Sequence, residues 1–91
     1  MTADDRKIVA VVRSVLARKD IVLDLSDADI CNTPLSDLAL DSIDRLDLAM
    51  AMEEAFDVLF TTSDVVKCDR VADIREEIQR ARRHVTVTGQ V

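Results

Sequence analysis

The segment LALDSIDRLDLAMAMEEAF, residues 38–56, decides the fold of this chain. Asp41 is a favoured helix-capping residue, and Asp44 falls three residues later, in the first turn of the helix that would follow. The apolar residues after this start have the i, i+4, i+7, i+8 spacing of one buried helix face, at Leu48, Met52, Ala55 and Phe56. Ala49 and Leu46 would extend this face. The segment therefore predicts a helix over Asp41–Phe56 with one face in a core.

A second face of this helix mixes acidic and apolar side chains: Ile43, Asp44, Asp47, Met50 and Glu54. Such a mixture is poor material for a core and reasonable material for a surface that binds another protein. The simpler interpretation is a solvated helix face, and the residues by themselves favour that interpretation.

Ser42 lies where the preceding loop becomes the helix. The first backbone N–H groups of a helix are unpaired and the helix dipole is positive there, so a phosphate ester on the hydroxyl would find hydrogen-bond donors. A serine after an aspartate at a helix start is more often part of a cap. Local physics alone therefore leaves both interpretations open and favours the cap.

The flanking sequence predicts further helices. A first helix is expected over Asp4–Arg18, capped by Thr2 or Asp4, and a short helix over Thr62–Lys67. A last helix should begin after Asp69 as its cap and continue to about Arg83. The buried stripe of that helix is predicted to be Val71, Ile74, Ile78 and Ala81.

Between the first two main helices, Asp20–Leu40 is predicted to be a long loop with one helical turn near Pro34–Leu38, where Thr33 would be the cap and Pro34 the first residue. The chain has 91 residues, one Gly, one Pro and 2% aromatic residues. This composition favours an all-α domain over a sheet. We expect one domain over residues 1–84, with three main helices and one short helix, and a flexible tail over residues 85–91.

The net charge is −6, and eleven of the eighteen acidic residues lie within residues 21–64, with a single basic residue among them. This distribution argues against nucleic acid as a partner and favours proteins with basic patches. The sequence has no signal-peptide core and no run long enough to span a membrane, so we expect a cytoplasmic monomer that does not insert into membranes. No metal cluster or nucleophile–base pair is apparent: Cys31 and Cys68 with one histidine make no zinc site, and Cys68 fits a small core residue.

The segment at residues 38–56 resembles the core of the acyl carrier protein family, whose pattern is LGxDSLxxxELxxxLEExF. Asp47 occupies the position of the family's glutamate, and Val71-Ala72-Asp73 resembles the start of its last helix. The matching residues within the segment are Leu38, Asp41, Ser42, Ile43, Leu48, Met52, Glu53, Glu54 and Phe56.

The resemblance implies a bundle of three main helices and one short helix that carries acyl groups and catalyses nothing itself. It implies that a phosphopantetheinyl transferase attaches 4'-phosphopantetheine from coenzyme A to Ser42. It also implies that basic residues of partner proteins recognise the neighbouring Asp41. The arm would hold acyl intermediates as thioesters for fatty-acid, polyketide or related lipid biosynthesis. The implied face for acyl-transferring and acyl-modifying enzymes with basic patches comprises Ile43, Asp44, Asp47, Met50 and Glu54. The alternative is an acidic helical interaction module that keeps the fold and never carries an arm.

Some positions depart from the family pattern. The family's glycine before Leu-Asp-Ser is Ala39, the glycine usual after Phe56 is Asp57, and the threonine often found before the last helix is Arg70. The loop over residues 58–63 lacks the usual proline and acids. These departures favour a specialised member over the general fatty-acid carrier.

Overall fold

The computed structural model describes the backbone of residues 1–89 and the side chains of residues 1–82. Within residues 1–89 it contains helices and no strand, which confirms the all-α prediction. The helices are α1 (Ala3–Ala17), α2 (Asp27–Asn32), α3 (Ser42–Phe56), α4 (Thr62–Val66) and α5 (Val71–Gly89), with a 3-10 turn at Leu35–Asp37. Three long helices with short ones between them form a small bundle of the acyl-carrier type.

The helices begin where side chains can satisfy their first N–H groups. Thr2 caps α1 by accepting the Asp5 N–H, and the Asp5 carboxylate accepts the Thr2 N–H in turn. Thr61 and Asp64 form the same reciprocal pair at the start of α4. Thr62 or Ser63 was expected to begin α4; the helix begins at Thr62, and its cap is the preceding residue, Thr61. These reciprocal bonds fix the helix starts because they satisfy N–H groups that have no partner inside the helix.

The start of α5 differs from the prediction. Asp69 does not cap it; the Asp73 carboxylate accepts hydrogen bonds from the N–H groups of Asp69 and Arg70, at 2.8 and 3.0 Å. The helix extends past the predicted end near Arg83 to Gly89. Residues 90 and 91 of the predicted tail lie outside the described residues, and its flexibility stays a prediction.

The predicted loop over Asp20–Leu40 contains a helix that was not predicted, α2. Ser26 caps it by accepting the Asp29 N–H, and Ile30 is its one fully buried side chain. The side chain of Arg13 in α1 donates hydrogen bonds to Asp27 of α2 and to loop carbonyls at Leu23 and Leu25. These hydrogen bonds attach α2 and the loop before it to α1.

The helical turn predicted near Pro34–Leu38 is present as the 3-10 turn, but Pro34 precedes its first residue and Thr33 does not cap it. The N–H of Leu35 donates to the Asp69 carbonyl at 2.7 Å, which ties this turn to the start of α5.

The core lies between α1, α3 and α5 and is closed by side chains of the short elements. The fully buried large side chains include Ile8, Val9, Val12, Leu16, Ile30, Leu35, Leu38, Leu48, Met52, Phe60, Ile74 and Ile78. Phe60 is the largest of them, and it comes from the loop after α3 that departs most from the family pattern. That loop is held in place because the Phe60 N–H donates to the Glu53 carboxylate at 3.1 Å.

Ion pairs join the start of α1 to α5: Arg82 pairs with Asp4 at 2.9 Å, and Arg75 pairs with Asp5. Arg75 of α5 donates from Nη1 to both carboxylate oxygens of the buried Asp5, at 2.8 Å each. Burial alone would raise the pKa of Asp5, but the Thr2 N–H and the Arg75 guanidinium together hold it below the usual value. No helix among the described residues is long and apolar enough to cross a membrane.

Candidate functional site

The N-terminus of α3 is set by a reciprocal pair of hydrogen bonds. Asp41 has extended backbone and its carboxylate accepts the Asp44 N–H at 2.9 Å, while the Asp44 carboxylate accepts the Asp41 N–H at 3.0 Å. Asp41 thus caps the helix as the sequence predicts, and this leaves Ser42 as the first helical residue.

Lys19, which lies just past the end of α1, pairs with both carboxylates of this cap. Its ammonium donates to the Asp44 carboxylate at 2.7 Å and lies 3.6 Å from that of Asp41. The hydrogen bond with Lys19, followed by that with the Asp41 N–H, lowers the pKa of Asp44, and the same contact with Asp44 raises the pKa of Lys19. Both groups are therefore charged at neutral pH, and the start of α3 is fastened to the end of α1.

The Ser42 side chain is exposed, so its hydroxyl is open to a partner molecule. Asp41 supplies the acceptors for the N–H groups of Asp44 and Arg45, through its carboxylate and its carbonyl. The N–H groups of Ser42 and Ile43 have no acceptor among the described residues. An exposed hydroxyl beside two available donors at the positive end of a helix suits a phosphate ester.

The predicted partner face is largely exposed. Ile43 is 70% exposed and Met50 61% exposed, Glu54 is exposed and Asp47 is partly buried. Asp44 differs from the expectation: it is only 3% exposed, because its carboxylate is turned back to the helix cap and Lys19. Asp44 is therefore a structural residue and does not belong to an accessible partner face.

Leu46 also differs from the prediction. It was expected on the buried face, but it is 48% exposed and lies near Ile43 and Met50 on the helix surface. The sequence could have indicated this exposure, because Leu46 is two residues from the buried Leu48, and residues two apart on a helix point in different directions. The burial of Leu48, Ala49, Met52 and Phe56 is as expected, and Ala55 is partly buried.

Two departures from the family pattern adopt backbone that favours glycine. Ala39, two residues before the cap, has φ of 61°, and Asp57, which ends α3, has φ of 53°. Left-handed backbone is easy for glycine and unfavourable for residues with a Cβ atom, least so for Asn and Asp. At both ends of α3 the chain therefore has left-handed backbone at a position where the family pattern has glycine.

The two cysteine thiols of the described residues are both shielded by burial. Burial, with Glu77, Asp73 and Asp64 nearby, raises the pKa of the Cys68 thiol to about 12, so Cys68 is a core residue as predicted. Cys31 is partly buried, and burial raises the pKa of its thiol as well. Among the described residues, no group of three or more histidine, cysteine or acidic side chains could hold a metal ion. The side chain of His84 lies outside the described part of the chain.

Comparison with known protein families identifies the class to which the chain belongs. The model of the family described as PP-binding, phosphopantetheine attachment site, matches residues 6–78, which span α1 to the middle of α5. No curated protein and no solved structure matches the chain significantly.

The chain therefore belongs to the phosphopantetheine-attachment family. Members of this family are carriers: they bind 4'-phosphopantetheine covalently and are not enzymes themselves. A carrier of this kind interacts with a phosphopantetheinyl transferase and with acyl-processing enzymes.

Proposed function

We propose that Ser42 is the residue to which the phosphopantetheine arm is attached. The observation that carries this proposal is the position of an exposed serine as the first residue of α3, directly after a reciprocal cap that leaves its hydroxyl unused. In the attachment reaction the Ser42 oxygen would lose its proton to a base of the transferase and form a bond to the pantetheine-bearing phosphorus of coenzyme A, while the phosphoanhydride bond breaks and adenosine 3',5'-bisphosphate leaves. The resulting phosphodiester would lie at the positive helix end, near the Ser42 and Ile43 N–H groups.

Other serines fit this role less well. Ser26 accepts a backbone hydrogen bond as the cap of α2. Ser63 is exposed in the first turn of α4, after a cap of the same kind, but α4 has only five residues and a short helix has a weaker dipole. Ser63 is for this reason a matched control for Ser42.

Mass spectrometry of the intact protein tests the assignment. The apo protein is incubated with coenzyme A and a broad-specificity phosphopantetheinyl transferase. One arm should be added to the wild type and to Ser63→Ala, and none to Ser42→Ala. An arm that remains on Ser42→Ala would contradict the assignment, and no arm on any variant with several transferases would favour the interaction module without an arm.

We further propose that the arm carries acyl intermediates as thioesters in a specialised fatty-acid, polyketide or related lipid pathway. The support is the divergence around α3: alanine at position 39, Asp57 at the helix end, and an apolar loop that buries Phe60. A tethered intermediate meets its enzymes at high effective concentration, which suits stepwise chemistry on one molecule. Acyl loading with a panel of acyl-coenzyme A substrates, followed by intact mass, would identify the group.

The partner face is proposed to comprise Ile43, Asp47, Met50 and Glu54, without Asp44. Exposed apolar side chains interspersed with acids on a single helix are typical of a surface that is covered by another protein. The monomeric state and the cytoplasmic location stay predictions from the sequence. Sedimentation of the purified protein tests the first of these.

A further inference from the structure

Two carboxylates flank the exposed hydroxyl of Ser42. Asp41 precedes it and Asp44 follows it in the same turn, and each carboxylate accepts the backbone N–H of the other aspartate. Asp44 is buried, and its hydrogen bonds with Lys19 and with the Asp41 N–H lower its pKa, so it stays charged at neutral pH. A phosphodiester on Ser42 would therefore add a further negative charge beside two existing ones.

The helix end by itself offsets only part of this negative charge. The dipole of a helix corresponds to about half a positive elementary charge at its N-terminus. The cap already uses two of the backbone donors, because the Asp44 N–H donates to the Asp41 carboxylate and the Arg45 N–H to the Asp41 carbonyl. A positive side chain beside the two carboxylates would therefore favour the protein that carries the arm.

Lys19 provides a positive charge at this place. Its Nζ lies 2.7 Å from the Asp44 carboxylate and 3.6 Å from that of Asp41, so one ammonium reaches both acids that flank Ser42. The Lys19 side chain is 37% exposed, and it is therefore not sealed off by these contacts. Arg45 lies three residues after Ser42, but among the described side chains it forms no ion pair with either carboxylate.

On the basis of the proposed attachment at Ser42, we propose that Lys19 is a positioning residue for the arm. Its ammonium compensates the carboxylates of Asp41 and Asp44, and the phosphodiester can then stay at the start of α3, near the Ser42 and Ile43 N–H groups. Without this positive charge, two uncompensated carboxylates repel a phosphate that is covalently attached and cannot leave. The simpler role, which is to fasten the end of α1 to α3, serves the protein equally with and without the arm.

The test compares the melting temperatures of the apo and holo forms of each variant at low salt. The holo forms are made with coenzyme A and excess transferase and verified by intact mass. Arg18→Met, next to Lys19, and Arg45→Met, on α3, are matched controls that each remove one positive charge. Attachment of the arm should lower the melting temperature of Lys19→Met by about 4 °C or more beyond its effect on the wild type. Lys19→Arg and both controls should stay within about 2 °C of the wild-type difference.

This difference separates the two roles of Lys19. A residue that only fastens the helices lowers the stability of the apo and holo forms equally, so the difference between them would not change. An electrostatic effect of Lys19 on the phosphodiester should also shrink at about 1 M salt, where surface charges are screened.

Asp41→Asn in the Lys19→Met background tests the cause of the loss. Asparagine keeps the capping acceptor and removes the charge, so about half of the additional loss on arm attachment should be recovered. No recovery, an apo-to-holo difference in Lys19→Met equal to that of the wild type, or a larger effect of Arg45→Met would overturn the role of Lys19 alone. If the folded wild type accepts no arm, or accepts it at a residue other than Ser42, the proposed attachment site itself is wrong.

Discussion

Replacing Ala39 by glycine should stabilise the domain, although glycine normally destabilises helical proteins. A residue with a Cβ atom loses about 1–2 kcal/mol in left-handed backbone, which is the conformation of Ala39. Glycine avoids this loss but gives up about 0.5–1 kcal/mol more conformational entropy on folding. The Ala39 side chain is exposed, so no packing is lost. The net expectation is a gain of about 0.5–1 kcal/mol in the free energy of unfolding.

Thermal and urea unfolding followed by circular dichroism measure this gain. For a domain of this size the melting temperature should rise by roughly 2 to 8 °C. Ala10→Gly is the matched control, because Ala10 is exposed inside α1, and it should lower the stability by about 1 kcal/mol. Asp57→Gly should give a smaller gain than Ala39→Gly, since aspartate tolerates left-handed backbone better than alanine. If Ala39→Gly destabilises the domain as much as Ala10→Gly does, the assignment of strain at Ala39 is wrong.

Further predictions concern ion pairs, pH and thiols. Asp5→Asn should lower the free energy of unfolding by about 2 kcal/mol, because it weakens the charged hydrogen bonds with Arg75, and a loss below about 0.5 kcal/mol in urea unfolding would contradict a stabilising pair. The pKa values of Asp5 and Asp44 are lowered by folding, so the stability that these groups contribute is complete above the unfolded value of 3.8 and is lost as the pH falls through the folded values. The melting temperature should therefore drop mainly below about pH 4, with a smaller drop in Asp44→Asn; a wild-type drop confined to pH 5–7 would contradict this. With iodoacetamide near neutral pH, Cys68 should react more slowly than Cys31 in the folded protein and equally fast in urea, and equal rates in the folded state would refute the burial of its thiol.

The sequence predicted the main helices well because their signals are strong and local. The buried stripe of α3 and the Asp41 cap required only periodicity and capping chemistry. The second helix, α2, was missed because it has six residues and a single buried side chain, Ile30, so no periodic stripe could reveal it. The sequence did contain one sign of a helix start, because Ser26 lies three residues before Asp29, the spacing of a capping pair. This pair was not used because the segment was interpreted as a loop.

The site shows the same division between local and tertiary information. The position of Ser42 at a helix start follows from neighbouring residues alone. The burial of Asp44 does not, because it depends on Lys19, which is 25 residues earlier in the chain. The backbone at Ala39 could not be inferred either: without glycine in the sequence, nothing local indicates a positive φ.

The central claim is that this chain carries phosphopantetheine on Ser42. The most direct measurement is the intact mass of the protein after reaction with coenzyme A and a phosphopantetheinyl transferase, compared between the wild type, Ser42→Ala and Ser63→Ala. We expect a single added arm on the wild type and on Ser63→Ala, and an unchanged mass for Ser42→Ala. An arm on Ser42→Ala, or none on the wild type, would contradict the claim.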